Sequence, residues 1–319
     1  MNRRIAVIIV HYRTPGLLRD CVASLQPQLD AARDEIIVID NASPDGSAAE
    51  LRNLSGITLI EHPHNVGFAG GNNIGFDHVR LGGGADYILL LNPDTVLRPN
   101  AVRTLLNFLE SHPACGMVGP RLEHPDATPQ LSAFGEQTPI GELIRGANIG
   151  PLSRLLKRWQ VYGDIQSHAH RCDWLAGACV LMPWAVVEKV GQLDAKFFMY
   201  FEEVDYCRRA RAAGFEIWHE PAAHVVHLVG QASGVTDAWS AKRLPAYWFE
   251  SRHRYFRKHY GWLGAAIADL AWLTGHAAMR IRRLLTGVSH SPCAQRETRD
   301  LLAHEWRFLL GRTPTGVQS

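Results

Sequence analysis

The chain has 319 residues, 46% of them hydrophobic, so it can bury one large core or two smaller ones. Its formal net charge of +2 points to no class of partner, although the C-terminal third is basic. The 6 cysteines have neither paired nor zinc-binding spacing, which argues against a zinc cluster and favours reduced thiols in a cytosolic protein. The apolar run Ile5–Val10 is too short for a signal-peptide core, so we expect no secretion.

The first half of the chain alternates predicted strands with predicted helices. This order is typical of βαβ units and predicts an α/β fold with a mainly parallel sheet flanked by helices. The strands are expected at Ile5–Val10, Glu35–Asp40, Ile57–Glu61, Tyr87–Leu91 and Met117–Gly119. The helices are expected from Thr14-Pro15 to Leu25, and at Ser47–Leu54, Gly67–Leu81 and Asn100–Ser111.

The second half is less regular at first and then becomes helical. Residues 125–171 are interpreted as a variable loop-and-helix insertion. The elements expected after it are a strand at Ala178–Met182, a turn at Pro183 followed by a helix ending at Gly191, a helix at Phe197–Ala213 and one or two strands within Glu216–His227. From Asp237 onward the pattern is helical. We therefore expect an α/β domain over residues 1–235 and a helical region over 236–319.

Polar residues follow two of the predicted strands, at the end where open α/β sheets bind ligands. Asn92 and Asp94 come directly after the strand Tyr87–Leu91, and their oxygens suit Mg²⁺ or Mn²⁺. Taken alone, the Asn-Pro-Asp segment also fits a plain turn. Asp40 ends an earlier strand, where a carboxylate can hydrogen-bond a ribose or base, or can cap a turn.

Two further segments carry candidate chemistry. In His64–Asn73, Gly67, Gly70 and Gly71 permit close backbone approach to a ligand at a helix N-terminus, although a flexible connection is an alternative. In Phe197–Arg209, carboxylates stand beside aromatic side chains, which can raise a carboxyl pKa and produce a general base. Acidic residues also suit a first helical turn for electrostatic reasons alone.

In order and spacing, these motifs resemble family 2 inverting glycosyltransferases with a GT-A fold, especially the rhamnosyltransferase-like branch. The resemblance covers residues 5 to about 230. The segments that carry it are VIIVHYRTPGLLRDCVASL, IIVIDNASPDGS, HNVGFAGGNNIGF, YILLLNPDTVL, DWLAGACVLM, FFMYFEEVDYCRRARAAGF and HVVHLVG.

The resemblance implies a nucleotide-sugar half over about residues 1–120 and an acceptor half over about 170–235. The residues that it places at the nucleotide-sugar site are His11, Tyr12, Asp40, Asn41, Gly67, Gly70, Gly71, Asn72, Asn92 and Asp94. Asn92 and Asp94 occupy the family's metal-binding DXD position, where the first Asp is here Asn. With His227, which fits better than His224, they would hold Mg²⁺ or Mn²⁺ against the diphosphate.

The acceptor half would supply the catalytic base. Trp174 would pack on the acceptor and Gly177 would leave it room. Glu203 matches the base position, with Glu202 as the alternative. The base would take a proton from an acceptor hydroxyl, which then attacks the anomeric carbon opposite the diphosphate and inverts it.

The resemblance implies a nucleotide-diphospho-sugar donor, with dTDP-rhamnose as the best guess and UDP-galactofuranose or UDP-GlcNAc as alternatives. The acceptor would be a glycan or a polyprenyl-linked saccharide in cell-envelope polysaccharide synthesis at the cytoplasmic membrane face. Two other classes remain as hypotheses: a non-catalytic nucleotide-sugar-binding protein, and a nucleotidyltransferase. Retention of Asp94, Glu203 and His227 argues against the first, and the lack of a basic glycine-rich signature in Val10–Gly16 argues against the second. The sequence leaves the oligomeric state open, including a homo-oligomer.

The C-terminal third interleaves aromatic and basic residues in Tyr247–Tyr260, followed by an apolar stretch and three arginines up to Arg283. No nucleic-acid-binding motif accompanies this pattern, so we expect no nucleic-acid partner. The apolar stretch is borderline in length for a bilayer span. Two interpretations remain: peripheral attachment to an anionic membrane surface, or helices that pack on the catalytic domain with solvated basic faces.

Overall fold

The computed structural model describes residues 4–228, 243–287, 294 and 296–311, which form two compact units. Of the described residues, the first unit comprises 4–134, 164–196 and 202–228, and the second comprises 135–163, 197–201, 243–287, 294 and 296–311. The segments 135–163 and 197–201 thus join the C-terminal helices, a grouping that a linear division at residue 235 does not include. Val229 and Gly230, at the end of the last motif, lie outside the described residues.

The described elements follow the predicted alternation closely. The strands are β1 (Ile5–His11), β2 (Glu35–Asn41), β3 (Thr58–His62), β4 (Tyr87–Leu91), β5 (Thr95–Leu97), β6 (Cys115–Glu123), β7 (Ala133–Phe134), β8 (His170–Arg171), β9 (Trp174–Leu175), β10 (Cys179–Pro183) and β11 (Glu216–His227). The helices are α1 (Pro15–Leu25), α2 (Ser47–Leu51), α3 (Gly67–Leu81), α4 (Ala101–Ser111), α5 (Pro139–Ala147), α6 (Gly150–Leu155), α7 (Trp184–Val190), α8 (Glu202–Ala212), α9 (Ala246–Thr286) and α10 (Glu297–Leu309).

The main sheet of the first unit has the strand order β3-β2-β1-β4-β10-β6-β11-β5, with β8 paired to β11. The strands β3, β2, β1 and β4 are parallel, whereas β10 runs antiparallel to both β4 and β6. β6 and β11 are parallel, and β5 and β8 run antiparallel to β11. The expected α/β fold is confirmed: β3, β2, β1, β4, β6 and β11 run in one direction, and β10, β5 and β8 run in the opposite one.

The carboxyl ends of β2, β1 and β4 meet at one edge of this sheet. His11 at the end of β1 lies opposite Asp40, and Ile9 lies opposite Leu91, the last residue of β4. Every residue of β1 and β4 is buried, because helices cover both faces of a parallel sheet. The edge therefore collects His11, Asp40 and the loop that follows Leu91.

Helix α3 packs unusually closely on β1. A Cβ atom added at Gly71 would lie 2.7 Å from Val10 Cγ1, and one added at Gly75 would lie 2.5 Å from Ile8 Cγ2. These distances are too short for any side chain, so Gly71 is required for helix–strand packing. Gly67, with a φ of 73°, starts the helix from a left-handed conformation that suits glycine.

Two element predictions need correction. The helix expected at Phe197–Ala213 begins only at Glu202, because Tyr200 and Phe201 have φ values of 69° and 65°, which cannot continue a right-handed helix. The strand expected at Met117–Gly119 extends over all of β6. β5, which was not predicted, pairs with the end of β11 immediately after the Asn-Pro-Asp loop.

The second unit is helical and is organised around α5 and α9. α9 is broken at Gly261, where φ is 70° and ψ is −177°. Where α5 crosses the later part of α9, a Cβ atom on Gly275 would lie 2.4 Å from Leu143 O, and one on Gly146 would lie 2.5 Å from Trp272 O. Glycine at both crossing positions allows the two backbones to touch.

A buried network of charges ties these helices together. Arg252 Nη2 lies 2.8 Å from Glu142 Oε2, and Arg145 Nη1 lies 2.6 Å from Glu297 Oε1. Burial alone would raise the pKa of Glu142, but Arg145 and Arg252 outweigh it and hold the pKa at about 2. Among the helices that the structure describes, none has both the length and the apolarity needed to cross a membrane.

Candidate active site at the carboxyl edge of the sheet

The Asn-Pro-Asp loop is fixed between β4 and β5 by its own backbone. Asn92 N donates a hydrogen bond to Ala178 O over 2.8 Å, and Thr95 Oγ1 donates to Asn92 O over 2.7 Å. The loop is thereby anchored on one side to the residue that precedes β10. Asn92 Oδ1 is buried and accepts no hydrogen bond from any group in the described chain. This oxygen is therefore available to a ligand.

Asp94 and His227 are brought together by the pairing of β5 with β11. Leu228 N donates to Asp94 O over 2.9 Å, and His227 Nε2 lies 3.7 Å from Asp94 Oδ1. Burial is the main cause that lowers the pKa of His227, although the Asp94 carboxylate opposes it. His227 is thus neutral at pH 7, the form in which imidazole binds a metal ion.

His224 points to a different group. His224 Nδ1 lies 3.3 Å from Glu123 Oε2, and Arg98 Nε lies 2.9 Å from the other oxygen of that carboxylate. His227 is therefore the histidine that this fold places beside Asp94. Together Asn92, Asp94 and His227 offer a carbonyl oxygen, a carboxylate and a neutral imidazole, a donor set that suits Mn²⁺ or Mg²⁺.

Asp40 and His11 form a second buried polar group at the same edge. His11 Nε2 lies 3.8 Å from Asp40 Oδ1 and 3.1 Å from Ser47 Oγ, and burial is the main cause that lowers the His11 pKa. His11 Nδ1 is engaged by Thr14 Oγ1 at 3.2 Å. Asp40 is only 3% exposed, and no hydrogen bond to its Oδ1 is made by the part of the chain described. Ser47 and Thr14 thus hold the buried His11 ring next to Asp40, and Asp40 Oδ1 is available as an acceptor for a ligand.

The glycine-rich junction before α3 is held to β2 by asparagine side chains. Asn41 Oδ1 accepts from Val66 N, and Asn41 Nδ2 donates to Asn65 Oδ1, each over 3.0 Å. Gly67 N also donates to Asn65 Oδ1 over 3.0 Å. Asn41 and Gly67 therefore position the helix start within this network. No role was predicted for Asn65 itself, although an Asn two residues before a helix-starting glycine is a recognisable turn signal.

Within α3, the other predicted ligand-binding residues also have structural partners. A Cβ atom on Gly70 would lie 2.8 Å from Val66 Cβ, so this glycine keeps the first turn compact. Asn72 is 1% exposed and its Nδ2 donates to Phe68 O over 2.9 Å. Tyr12 is partly buried next to His11 at the end of β1. The contact of these residues with a ligand stays a prediction.

Glu202 and Glu203 are neighbouring carboxyl groups at the start of α8, and the Oε2 atom of each is buried without a hydrogen-bond partner among the described residues. Burial is the main cause that raises the pKa of Glu203, to about 7. Burial, and then the charge of Glu203, raises the pKa of Glu202 well above its usual value. Of the two carboxyls, Glu203 is therefore the one that ionises first as pH rises, near neutral pH.

Gly177 faces this pair. A Cβ atom added at Gly177 would lie 3.6 Å from Glu203 Cβ and 3.7 Å from Phe68 Cε1. Ala178, the next residue, accepts a hydrogen bond from Asn92 N, so Gly177 lies between Glu203 and the Asn-Pro-Asp loop. The sequence did not single out Phe68, whose ring borders Gly177. Only the packing of α3 against the residue before β10 shows it.

Trp174 lies near this region on the small β7-β9 sheet. Its ring stacks on Phe134, with centroids 3.9 Å apart and planes 11° apart. It is 8% exposed. One face of the indole is therefore occupied by Phe134, and contact with an acceptor would use what remains exposed.

Residues 6–151 match the model of the family described as Glycosyl transferase family 2. The chain is 28% identical over 301 residues to the N-acetylglucosaminyl-diphospho-decaprenol L-rhamnosyltransferase of Mycobacterium tuberculosis, covering 88% of this chain and 92% of that protein. It is also 28% identical over 226 residues to the low-salt glycan biosynthesis hexosyltransferase Agl10 of Haloferax volcanii, covering 70% of this chain and 66% of that protein.

Among solved structures, the mannosyltransferase PcManGT from Pyrobaculum calidifontis, in complex with GDP-Man and Mn²⁺, resembles this fold. The TM-score is 0.57 at 15% sequence identity, and the match covers 97% of this chain and 81% of that one. At this identity the likeness shows the fold alone.

Proposed function

Because the chain is a glycosyltransferase with a family 2 domain, we propose that it transfers L-rhamnose from dTDP-rhamnose to a hydroxyl of a lipid-linked saccharide, with inversion. The product would enter cell-surface polysaccharide synthesis. The observation that carries the proposal is the pair Glu202 and Glu203, two carboxyl groups with raised pKa values beside Gly177 and adjacent to the Asn92–Asp94 loop.

Glu203 is the general base in this proposal. Its carboxylate accepts the proton of the acceptor hydroxyl while the hydroxyl oxygen bonds to the anomeric carbon and the bond from that carbon to the diphosphate breaks. The neighbouring Glu202 stays protonated in this scheme, because burial and the charge of Glu203 raise its pKa. A base with a pKa of about 7 is matched to proton transfer at neutral pH, where general-base catalysis typically contributes ~10²–10⁴-fold.

Asn92, Asp94 and His227 would hold a divalent ion, Mg²⁺ or Mn²⁺. The fit rests on the buried Asn92 Oδ1, the nearby Asp94 carboxylate and the neutral His227. When bound, such an ion neutralises charge on the diphosphate leaving group. The protein's own part is to fix these donors on the β4–β5 loop and on β11.

Asp40 would recognise the nucleoside. Its Oδ1 faces the same sheet edge and makes no hydrogen bond within the described residues, so it can accept one from a ribose hydroxyl or a base N–H. His11 Nε2 lies 3.8 Å from this oxygen. The choice of rhamnose is supported by the mycobacterial relative, whose name gives an L-rhamnosyl donor group and a diphospho-decaprenol acceptor.

The test is a donor screen with Mg²⁺ and with Mn²⁺, using dTDP-rhamnose, UDP-galactofuranose and UDP-GlcNAc against a lipid-linked disaccharide acceptor. We expect dTDP-rhamnose to be turned over and the product linkage to be inverted by NMR. Glu203→Gln is the matched control for background hydrolysis. Turnover of a UDP-sugar alone would refute the donor assignment. Binding of a donor without turnover of any would favour the non-catalytic alternative.

A further inference from the structure

The later part of α9 exposes apolar side chains along one side. Leu263, Ile267, Leu270, Ile281 and Leu284, which we call the α9 stripe, are between 48% and 85% exposed. They recur at intervals compatible with one helix face, and the positions between them on that face include small apolar residues. Scattered exposed leucines are ordinary, but a stripe that continues over several turns marks an interaction surface.

Packing within the second unit does not account for this stripe. The buried side of the same helix segment consists of Ala265, Ala268, Trp272, Gly275 and Met279. That side faces α5 through the glycine crossing. The helix therefore has two apolar sides, one covered and one exposed.

A second exposed apolar row lies on α10. Leu302, Trp306 and Leu309 are 51%, 64% and 76% exposed. They follow the spacing of a single helix face. Trp262, at the start of the later part of α9, is 69% exposed. Exposed tryptophans with leucines are typical of segments that enter a lipid headgroup region.

The charged side chains of α9 and α10 indicate which kind of partner can cover these exposed apolar rows. Acidic side chains on these two helix segments are engaged inside the second unit. Asp269 is paired with Arg252 and is 16% exposed, and Glu297 is paired with Arg145 and is 3% exposed. Asp300 is paired with Arg243, and Glu305 lies 2.9 Å from His253. Exposed basic residues remain at Arg257, Arg280, Arg299 and Arg307.

We propose that the α9 stripe lies on an anionic lipid surface. A second copy of the stripe would bring arginines against arginines, with no exposed acid on the described part of either helix to balance them. Anionic headgroups supply that missing charge, while the apolar side chains enter the acyl boundary. The inference rests on the proposed function only in that a membrane position would give access to a lipid-linked acceptor.

Part of the segment that was expected to bind membrane, Tyr247–Arg283, is buried in the second unit. In Tyr247–Tyr260, Phe249, Tyr255 and Phe256 are at most 3% exposed within the second unit. Arg252 of the same segment is buried in the charge network. The first part of α9 therefore packs inside the second unit, and the lipid contact falls to the later part.

The test is flotation of the full-length protein with vesicles of phosphatidylcholine alone or phosphatidylcholine mixed with phosphatidylglycerol. We expect binding to the mixed vesicles only, weakening as salt rises. The double variant Leu270→Glu/Ile281→Glu should lower the partition coefficient at least about tenfold. Arg280→Gln should lower it about fivefold, the equivalent of about 1 kcal/mol for one basic residue at an anionic surface. Leu81→Glu, which alters an 88% exposed leucine in the first unit, is the matched control and should float normally.

Equal binding to phosphatidylcholine vesicles, or no binding to either, would overturn the proposal. So would a dimer, detected by sedimentation velocity, that the double variant dissociates. Donor turnover measured with a water-soluble acceptor analogue should be unchanged in the double variant. Failure of turnover in the wild type would count against the proposed function, whereas failure of flotation counts only against the lipid contact.

Discussion

Glu203→Gln separates base catalysis from every other property of the site. The amide keeps the shape of the carboxyl but cannot take a proton. We expect turnover to fall by ~10²–10⁴-fold while the dissociation constant for the donor stays within about twofold. Single-turnover kinetics and calorimetric donor binding measure the two quantities.

The matched variant is Glu202→Gln. Burial and the charge of Glu203 raise the pKa of Glu202, so its neutral form is the one expected beside the base, and the amide of Gln is likewise neutral and of similar shape. We therefore expect a loss of less than about tenfold, much smaller than for Glu203→Gln. The opposite ranking, with Glu203→Gln active and Glu202→Gln inactive, would move the base to Glu202 and refute this reasoning.

The pH dependence follows from the same pair. Since the pKa of Glu203 is raised to about 7, wild-type kcat/KM should rise with pH through that region. A carboxyl whose pKa is higher in the folded than in the unfolded protein lowers stability as pH rises from about 4 towards 7. Glu203→Gln should therefore have a free energy of unfolding at pH 8 about 1–2 kcal/mol higher than wild type, after allowance for solvent screening, and a higher melting temperature. An unchanged pH profile and an unchanged melting temperature would contradict a buried base.

Three further predictions test the metal loop and the two cores. Asp94→Ala should abolish turnover with the circular dichroism spectrum intact, and near wild-type activity at limiting metal would contradict its role. Gly75→Leu should destabilise the first unit by about 1–3 kcal/mol in urea unfolding, because the added side chain meets Ile8 at 2.5 Å. Arg252→Met should cost about 3–5 kcal/mol at pH 7, since it leaves Glu142 and its neighbour Asp269 without this partner. The loss should shrink as pH falls from about 4 towards 2. Glu142 has a pKa of about 2 in the folded protein, below its usual value, so its contribution to stability is lost as pH falls through that range.

Strand and helix order was predictable because it depends on local patterns. The buried run Tyr87–Leu91 and the helix Gly67–Leu81 have the predicted bounds, since continuous apolar residues and a glycine start are strong local signals. β5 was missed because its three residues become a strand only through pairing with β11, which lies far along the chain. The left-handed Tyr200 and Phe201 were also missed, because no sequence preference for that conformation exists in aromatic residues.

Candidate site residues were predictable as a set, but their individual roles were not. Strand-end positions located Asp40, Asn92 and Asp94 because parallel strands bring their carboxyl ends to one edge. The role of Gly71 as a packing residue depends on a distance to β1 that no local pattern contains. The choice of Glu203 over Glu202 likewise depends on which carboxyl is buried more deeply, which is a property of the folded chain.

Asn92 gives a last test of the proposed metal site. It stands at the first position of the family's DXD motif, so a neutral amide oxygen takes the place of a carboxylate. With Asp94 as the one carboxylate in the proposed donor set, a bound divalent ion keeps a net positive charge that attracts the donor's diphosphate. Asn92→Asp adds a carboxylate at the buried position of Asn92 Oδ1 and should raise Mn²⁺ affinity without nucleotide by at least about tenfold. Mn²⁺ titration followed by electron paramagnetic resonance measures this without any turnover, and Asn53→Asp on the exposed surface is the matched control. Equal Mn²⁺ affinity in Asn92→Asp and wild type would show that this oxygen does not face the metal.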